Sequence, residues 1–417
     1  MRNLSFSYYV QAASAVIMAM LILKFIVFSE VGHWQKKFQD LSVPAFSYPG
    51  GDARNIQLTS FCQSTTQSQE EFDQCYRDAS PVLSVHKQAD VPPYNYPEIW
   101  VDIYSFFDNY SEEFFMAFWQ TNASLFFLVL LLVSLRTAPV LFPVAAFSPA
   151  ALLTIERGNI DAVTFAILYT PFVLGLRSQL LGAFFVGLAA TAKIFPIFAA
   201  PVFFMKPFRS KWKSSSVGLL LSLPLVVASF LSLFRISENT SSGFLAAYGF
   251  MSLSNAPIFK DGWLLTASAL AFFVVATAAW VVVSARKKTY RPLLDELSGL
   301  KASDLYLLYT SVLIFGVTFL VFVNWSYRLI FLFPALFILS RLSSLMAKIL
   351  FANIITILWI PFFPSGWGLQ NLLCYSLFLF LLPLYIFGVR EIVSSTVENL
   401  RRGGVEHSSR PEQLPSA

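Results

Sequence analysis

The side chains in this chain that could do chemistry are few, and they fall into short polar islands. The densest is Glu156–Arg157–Gly158–Asn159–Ile160–Asp161, three charges in six residues, set between the apolar stretches Ala138–Ile155 and Ala162–Leu176. Ionisable groups at such a boundary are a functional hypothesis by default, because lipid gives them no solvation. Their types also permit a purely structural reading. Glu156 can pair with Arg157, Asn159 can cap a helix that begins at about Ile160, and Asp161 in its first turn suits the helix dipole.

A second island is Lys193, in the middle of the apolar segment Gln179–Met205. Inserting such a lysine costs about 2.5–3.5 kcal/mol, so it is kept to meet an anion or a carboxylate unless it snorkels out along its own stem. Asn324–Trp325–Ser326–Tyr327–Arg328 gathers amide, indole, phenol and guanidinium between two apolar runs, and an arginine beside such donors suits a phosphate. Nearer the N-terminus, YPGGDARN places Asp52 after a flexible Gly-Gly with Arg54 close by. Asp52 is either a general base toward a hydroxyl or an ordinary turn residue. Between Pro92 and Trp100, rigid prolines alternate with aromatic residues including Tyr96; such faces stack on sugar rings or anchor at headgroup depth. No zinc-type Cys/His spacing, phosphate-cradling glycine loop or Ser/His/Asp set is present, and His33, His86 and His407 lie far apart, so neither a metal nor a cofactor is expected.

What must position these islands follows from composition. Hydrophobic residues make up 56 % of the chain and charged ones only 13 %, against roughly a quarter charged in soluble domains. Mean hydropathy is +0.63. The apolar runs are continuous over about 17–25 residues, the length of a membrane helix, and do not alternate as barrel strands do. The net charge of +5 does not argue for a nucleic-acid partner, because the basic residues cluster between apolar runs: Arg136, Arg177, 206–213, 286–291, Arg341 with Lys348, and Arg390 with Arg401 and Arg402. Such clusters mark the cytoplasmic side, and an even number of crossings must separate each from the next. That condition requires Gln179–Met205 to leave and return, with a break near Lys193–Pro196, where proline removes a backbone donor.

The expected architecture is an all-α polytopic membrane protein of about twelve segments, with both ends cytoplasmic and membrane lipids as its surroundings. Residues 1–28 form a retained first helix, 29–114 a long extracytoplasmic loop, 115–390 the transmembrane core and 391–417 a cytoplasmic tail, disordered from Arg401 onward. The same parity puts the first loop, Glu156–Asp161, the Lys193 apex, 235–261, Asn324–Arg328 and 364–371 on one face. Cys62 and Cys75 share the first loop, in an oxidising compartment, and are expected to form a disulfide, with two free thiols as the alternative. Cys374 is expected only to pack.

Glu156–Asp161, followed by Gly182–Pro196 (GAFFVGLAATAKIFP), resembles the RGN-I-D…G…GLA…K-x-x-P core of glycosyltransferase family 87, integral-membrane enzymes of the GT-C type. Tyr96–Pro97 and Asn324–Arg328 with Leu329–Pro334 are similar to further elements of that group. The resemblance implies a GT-C-like bundle that moves a sugar, mannose or another hexose, from a polyprenyl-phosphate donor to a hydroxyl of a lipid-linked or envelope glycan or glycolipid acceptor. Transfer would invert the sugar carbon, on the outer face of a bacterial inner membrane. It implies Asp52 as base, Lys193 and Arg328 as donor-phosphate ligands, and Arg54, Tyr96, Glu156, Arg157, Asn159, Asp161, Asn324 and Tyr327 as substrate contacts. Two rivals stand beside it. One is a lipid-linked sugar transporter or flippase, a class that also uses broken helices and buried charge; the other is a non-catalytic subunit of a glycan assembly complex.

Overall fold

Prolines and serines decide where the apolar stretches break into helices. The computed structural model describes residues 6–28, 38, 51–79, 100, 102–103, 112–175, 178–205, 208, 212–236, 247–248, 275–280, 282, 289–321, 324–360 and 364–408. These are helical almost throughout, with one two-residue antiparallel pair, Ala247–Tyr248 against Asn324–Trp325. Among them, 4 helices are long and apolar enough to cross a membrane: Phe6–Val27, Glu113–Thr137, Ala302–Leu320 and Leu369–Arg390. The expected span Ala138–Ile155 is a bent pair, Pro139–Ala146 and Pro149–Arg157, meeting at 57°, which together have the length and apolarity of a fifth, broken span or a re-entrant loop. Pro149 cannot continue the ladder from the preceding turn, and Ser148 stabilises the corner: its Oγ donates to the Ala145 carbonyl at 2.7 Å and accepts from the Ala151 N–H at 3.4 Å. Other apolar helices, such as Asp161–Val173, Gln179–Ala192 and Leu345–Trp359, are shorter than the roughly 20 residues needed to cross about 30 Å of hydrocarbon.

The break expected near Lys193 is present. Helix Gln179–Ala192 stops at Lys193, whose backbone is extended (φ −150°, ψ 136°). Proline-bearing Phe195–Phe204 then returns as a tighter 3₁₀ helix. The return limb lies against the outgoing one, since a methyl group on Gly182 would sit 3.2 Å from the Phe203 ring. On its other side the outgoing helix meets Trp212–Ile236 at very close range. A Cβ on Gly218 would lie 2.2 Å from the Leu180 carbonyl oxygen, and one on Gly187 would overlap the Ser222 side chain. Small residues four apart on facing helices permit this approach, as at membrane-helix contacts generally.

Helix Asp161–Val173 runs through the centre. Phe165 meets Phe126 and Phe331 with ring centroids 5.2 and 5.9 Å apart, Tyr306 donates to the Leu168 carbonyl, and Tyr169 bonds Ser311. Arg136 donates to the Phe172 carbonyl at 2.6 Å, a cation placed at the negative end of the helix. The last helix runs from Pro364 to Ser408, so the stretch from Arg401 that was expected to be disordered is helical as far as Ser408. Pro383 lies inside this helix, but no further proline follows before Pro411; residues 409–417 lie outside the described ones.

One polar contact at the opposite end from Glu156–Asp161 carries a pH dependence. Glu296 accepts from the backbone N–H of Ser343 at 2.8 Å and of Ser344 at 3.1 Å, and from the Ser343 hydroxyl, capping the start of helix Leu345–Trp359. Burial pushes its carboxyl up, but the hydrogen bonds from Ser343 and Ser344 outweigh that and hold it down, from 4.5 to about 2. The stabilisation is therefore complete above pH 4.5 and is lost as pH falls toward about 2. Thermal unfolding in detergent across that window is expected to show an acid-dependent loss of stability in the native protein that is smaller in Glu296→Gln. Separately, Gly218→Ala is expected to cost about 1–3 kcal/mol by overpacking against a backbone carbonyl, read as a lower melting temperature.

Candidate functional site

Glu156–Asp161 stops one helix and starts the next. Gly158 adopts the left-handed conformation (φ 60°) that favours glycine. The Gly158 N–H bonds the Ile155 carbonyl at 3.0 Å and the Asn159 N–H the Thr154 carbonyl at 3.1 Å, the paired closure of a Schellman motif. Trp119 donates its indole N–H to the same Ile155 carbonyl at 2.8 Å. Asn159 then turns to the next helix: its Oδ1 accepts from the Asp161 N–H at 2.9 Å and its carbonyl from the Ala162 N–H at 3.0 Å. The helix begins at Asp161, with Ile160 and not Asn159 in the N-cap position, and Asn159 serves the first N–H of that helix from one residue further back.

This turn carries Asp161 into a fully buried position, where two cations from distant parts of the chain meet it. Lys193 Nζ, at the hairpin apex, is 3.6 Å from Oδ1, and Arg328 Nε, in the 3₁₀ segment Ser326–Leu332, is 3.4 Å from Oδ2. The Arg328 guanidinium also lies over the Phe195 ring, 5.3 Å from its centre. Glu156, likewise fully buried, pairs with Arg157 Nε at 3.2 Å. Lys193, then, does not snorkel away: it turns to a carboxylate.

Magnitudes argue against reading this cluster as a device for stability. Each attraction is worth about 4 kcal/mol at an effective dielectric near 20, while removing each ion from water costs several kcal/mol. With three ions desolvated for two attractions, the terms roughly cancel. Neither Asp161 oxygen accepts a hydrogen bond among the described residues, and a buried polar atom in that condition calls for an explanation other than folding. Among the described residues, three cations and two carboxylates meet here, and the ammonium and guanidinium groups are of the kind that engage an anion.

Two described pieces of the first loop pack beside the cluster. In helix Gly51–Thr65, Ile56 is fully buried, and it packs with Trp100, Ile160 and Ala192 in one apolar group. Trp100 donates its indole N–H to the Ala192 carbonyl at 3.1 Å, the last residue before Lys193. Asp52 stands one turn ahead of Ile56 on this helix. The side chains of Asp52, Arg54, Asn324 and Tyr327, and the whole of Tyr96, lie outside the described residues. Asn324 is placed by its backbone, opposite Tyr248. Cys62 and Cys75 form a disulfide, Cα atoms 5.8 Å apart, joining helix Gly51–Thr65 to Gln69–Ala79 beside Leu58 and Phe72.

The structure thus unites Glu156, Arg157, Asn159, Asp161, Lys193 and Arg328. Three participants were not foreseen: Ile56, Trp100 as a hydrogen-bond donor, and Trp119. The signal for Ile56 was an apolar residue four positions after Asp52 in an otherwise polar stretch. Comparison with protein-family models, curated proteins and solved structures finds no match to this chain. Asp161→Asn, which leaves Lys193 and Arg328 without their shared carboxylate, is expected to destabilise the protein by about 3 kcal/mol or more. The double variant Asp161→Asn/Lys193→Gln is expected to lose less than the sum of the single losses, by about 0.5–3 kcal/mol. Thermal unfolding of the purified variants in detergent checks both.

Proposed function

We propose that this protein is a polyprenyl-phosphate-sugar-dependent glycosyltransferase, with the donor phosphate held at Lys193 and Arg328. The observation that carries the reading is the convergence of these two cations on one buried carboxylate, 3.6 and 3.4 Å away, at the end of a helical bundle rich in apolar surface. A polyprenyl chain can lie among such helices while its phosphate reaches the cations. The finer architecture belongs to the same proposal: about twelve membrane segments in a GT-C-like bundle, in a bacterial inner membrane with the site facing the periplasm.

In the proposed step the acceptor hydroxyl attacks the sugar carbon from the side opposite the phosphate. The new C–O bond forms as the bond to phosphate oxygen breaks, the polyprenyl phosphate leaves with the electron pair, and Asp52 takes the hydroxyl proton. Lys193 and Arg328 offset the charge that grows on the leaving oxygen, the kind of electrostatic help that is often the largest catalytic contribution. Asp161 touches neither reactant: it is a positioning residue, fixing both cations from beneath. Glu156, Arg157 and Asn159 form the wall beside it. Mannose or another hexose is the proposed sugar, and a lipid-linked or envelope glycan the proposed acceptor.

The helix broken at Lys193 also favours the rival from another class, a lipid-linked sugar transporter, since discontinuous helices bearing charge are common in such proteins. Purified protein in detergent, given a radiolabelled polyprenyl-phosphate sugar and candidate glycan acceptors, separates the two, because flipping has no meaning in a micelle. Transfer is expected. Asp52→Asn is expected to lower turnover by at least about a hundredfold, and Lys193→Gln or Arg328→Gln to weaken use of the donor. Wild-type turnover in Asp52→Asn would remove it as base, and unchanged donor kinetics in both cation variants would remove the phosphate assignment.

A further inference from the structure

A second polar site lies at the other end of the bundle and takes no part in the proposed transfer. Helix Asp161–Val173 connects the two ends, which its length sets about 20 Å apart. Beyond its C-terminal end opens a cavity of about 530 Å³. Arg136, Lys301 and Arg341 line it together with one carboxylate, Asp304, while Phe203 and Phe208 supply apolar wall. Arg341 pairs with Asp304 at 3.2 Å, which leaves two positive charges in excess among the described lining residues. Arg136 is fixed by its bond to the Phe172 carbonyl and by the Phe172 ring 5.8 Å beneath its guanidinium. That bond uses one of the five N–H donors a guanidinium carries. Lys301 is exposed at the start of helix Ala302–Val321.

We infer that this cavity binds a phosphate-bearing anion, and that an anionic phospholipid headgroup is its occupant. Cations arranged around the cavity suit a phosphate, guanidinium above all, and an aromatic wall suits the glycerol and first methylenes that follow a lipid phosphate. Basic pockets between membrane helices recognise headgroups by this combination. A soluble phosphate shares the charge chemistry but has no use for Phe203 and Phe208.

The test uses the full-length protein in detergent, with dihexanoyl phosphatidylglycerol, dihexanoyl phosphatidylcholine and inorganic phosphate as probes. Binding is read by native mass spectrometry and by the shift in melting temperature. Phosphatidylglycerol is expected to bind saturably and to raise the melting temperature, and phosphatidylcholine to do neither. Lys301→Gln is expected to weaken phosphatidylglycerol about fivefold, and Ser303→Phe, which fills the cavity without changing its charge, to weaken it as well. Lys301 and Ser303 are both exposed, and if Ser303→Phe does not fold, the lysine variant alone decides. Phosphatidylglycerol binding with no effect of inorganic phosphate supports the lipid source. Inorganic phosphate that stabilises the protein as well as the lipid does, and displaces it, keeps the anion site but overturns the lipid as its occupant. Equal binding of both lipids, or phosphatidylglycerol binding unchanged by Lys301→Gln, overturns the site.

Discussion

Asp161 holds no water-facing surface, and its only counter-charges among the described residues are a lysine and an arginine that approach from the hairpin apex and from the segment after Asn324. Three separate stretches of chain must arrive at one point for that to happen, and much of the architecture serves the meeting. Gly158 reverses the backbone so that one helix ends and the next begins with Asp161. Lys193 and Pro196 end an outgoing helix at the level of Asp161 instead of letting it run on. Trp119 and Trp100 then pin the carbonyls of Ile155 and Ala192, one beside each arm of the cluster. Buried hydrogen bonds of this kind contribute only about 1 kcal/mol each, so their value lies in fixing geometry more than in total stability.

The close helix contacts follow from the same requirement. A hairpin that must return within a few residues needs its limbs and its neighbour near one another, and Gly182, Gly187 and Gly218 supply the room. Phe165, Phe195 and Phe331 fill the space directly behind the cluster, and Phe195 also gives its face to Arg328. Rings and charges therefore share a boundary, with apolar packing on one side and ionisable groups on the other. Ile56 and Trp100 of the first loop pack against Ile160 and Ala192, next to the cluster, and the disulfide ties two helices together near that contact.

Much of the site could be read from residue order because charge in an apolar chain is scarce. Lys193, Asp161 and Arg328 stood out as costly, and basic-cluster parity placed them on one face although they are far apart in sequence. Parity also required the break at Lys193, since an unbroken segment would have inverted everything after it. What the sequence did not reveal was the pairing itself: Lys193 invited an anion or an unnamed carboxylate and Arg328 a phosphate, whereas in the fold both meet Asp161. Helix lengths were legible only in part. A run of apolar residues does not show where Ser148 and Pro149 will split it at 57°, because local capping and missing backbone donors override composition. Ile56 and Trp119 escaped notice because their importance comes from contacts distant in sequence.

A density map of the full-length protein in complex with a polyprenyl phosphate tests the central claim most directly. The account predicts the phosphate on the Asp161 end of the bundle, its oxygens within about 4 Å of Lys193 Nζ and the Arg328 guanidinium, with Asp161 still beneath both cations. A phosphate bound elsewhere, with Lys193 and Arg328 engaged only with Asp161, would contradict it.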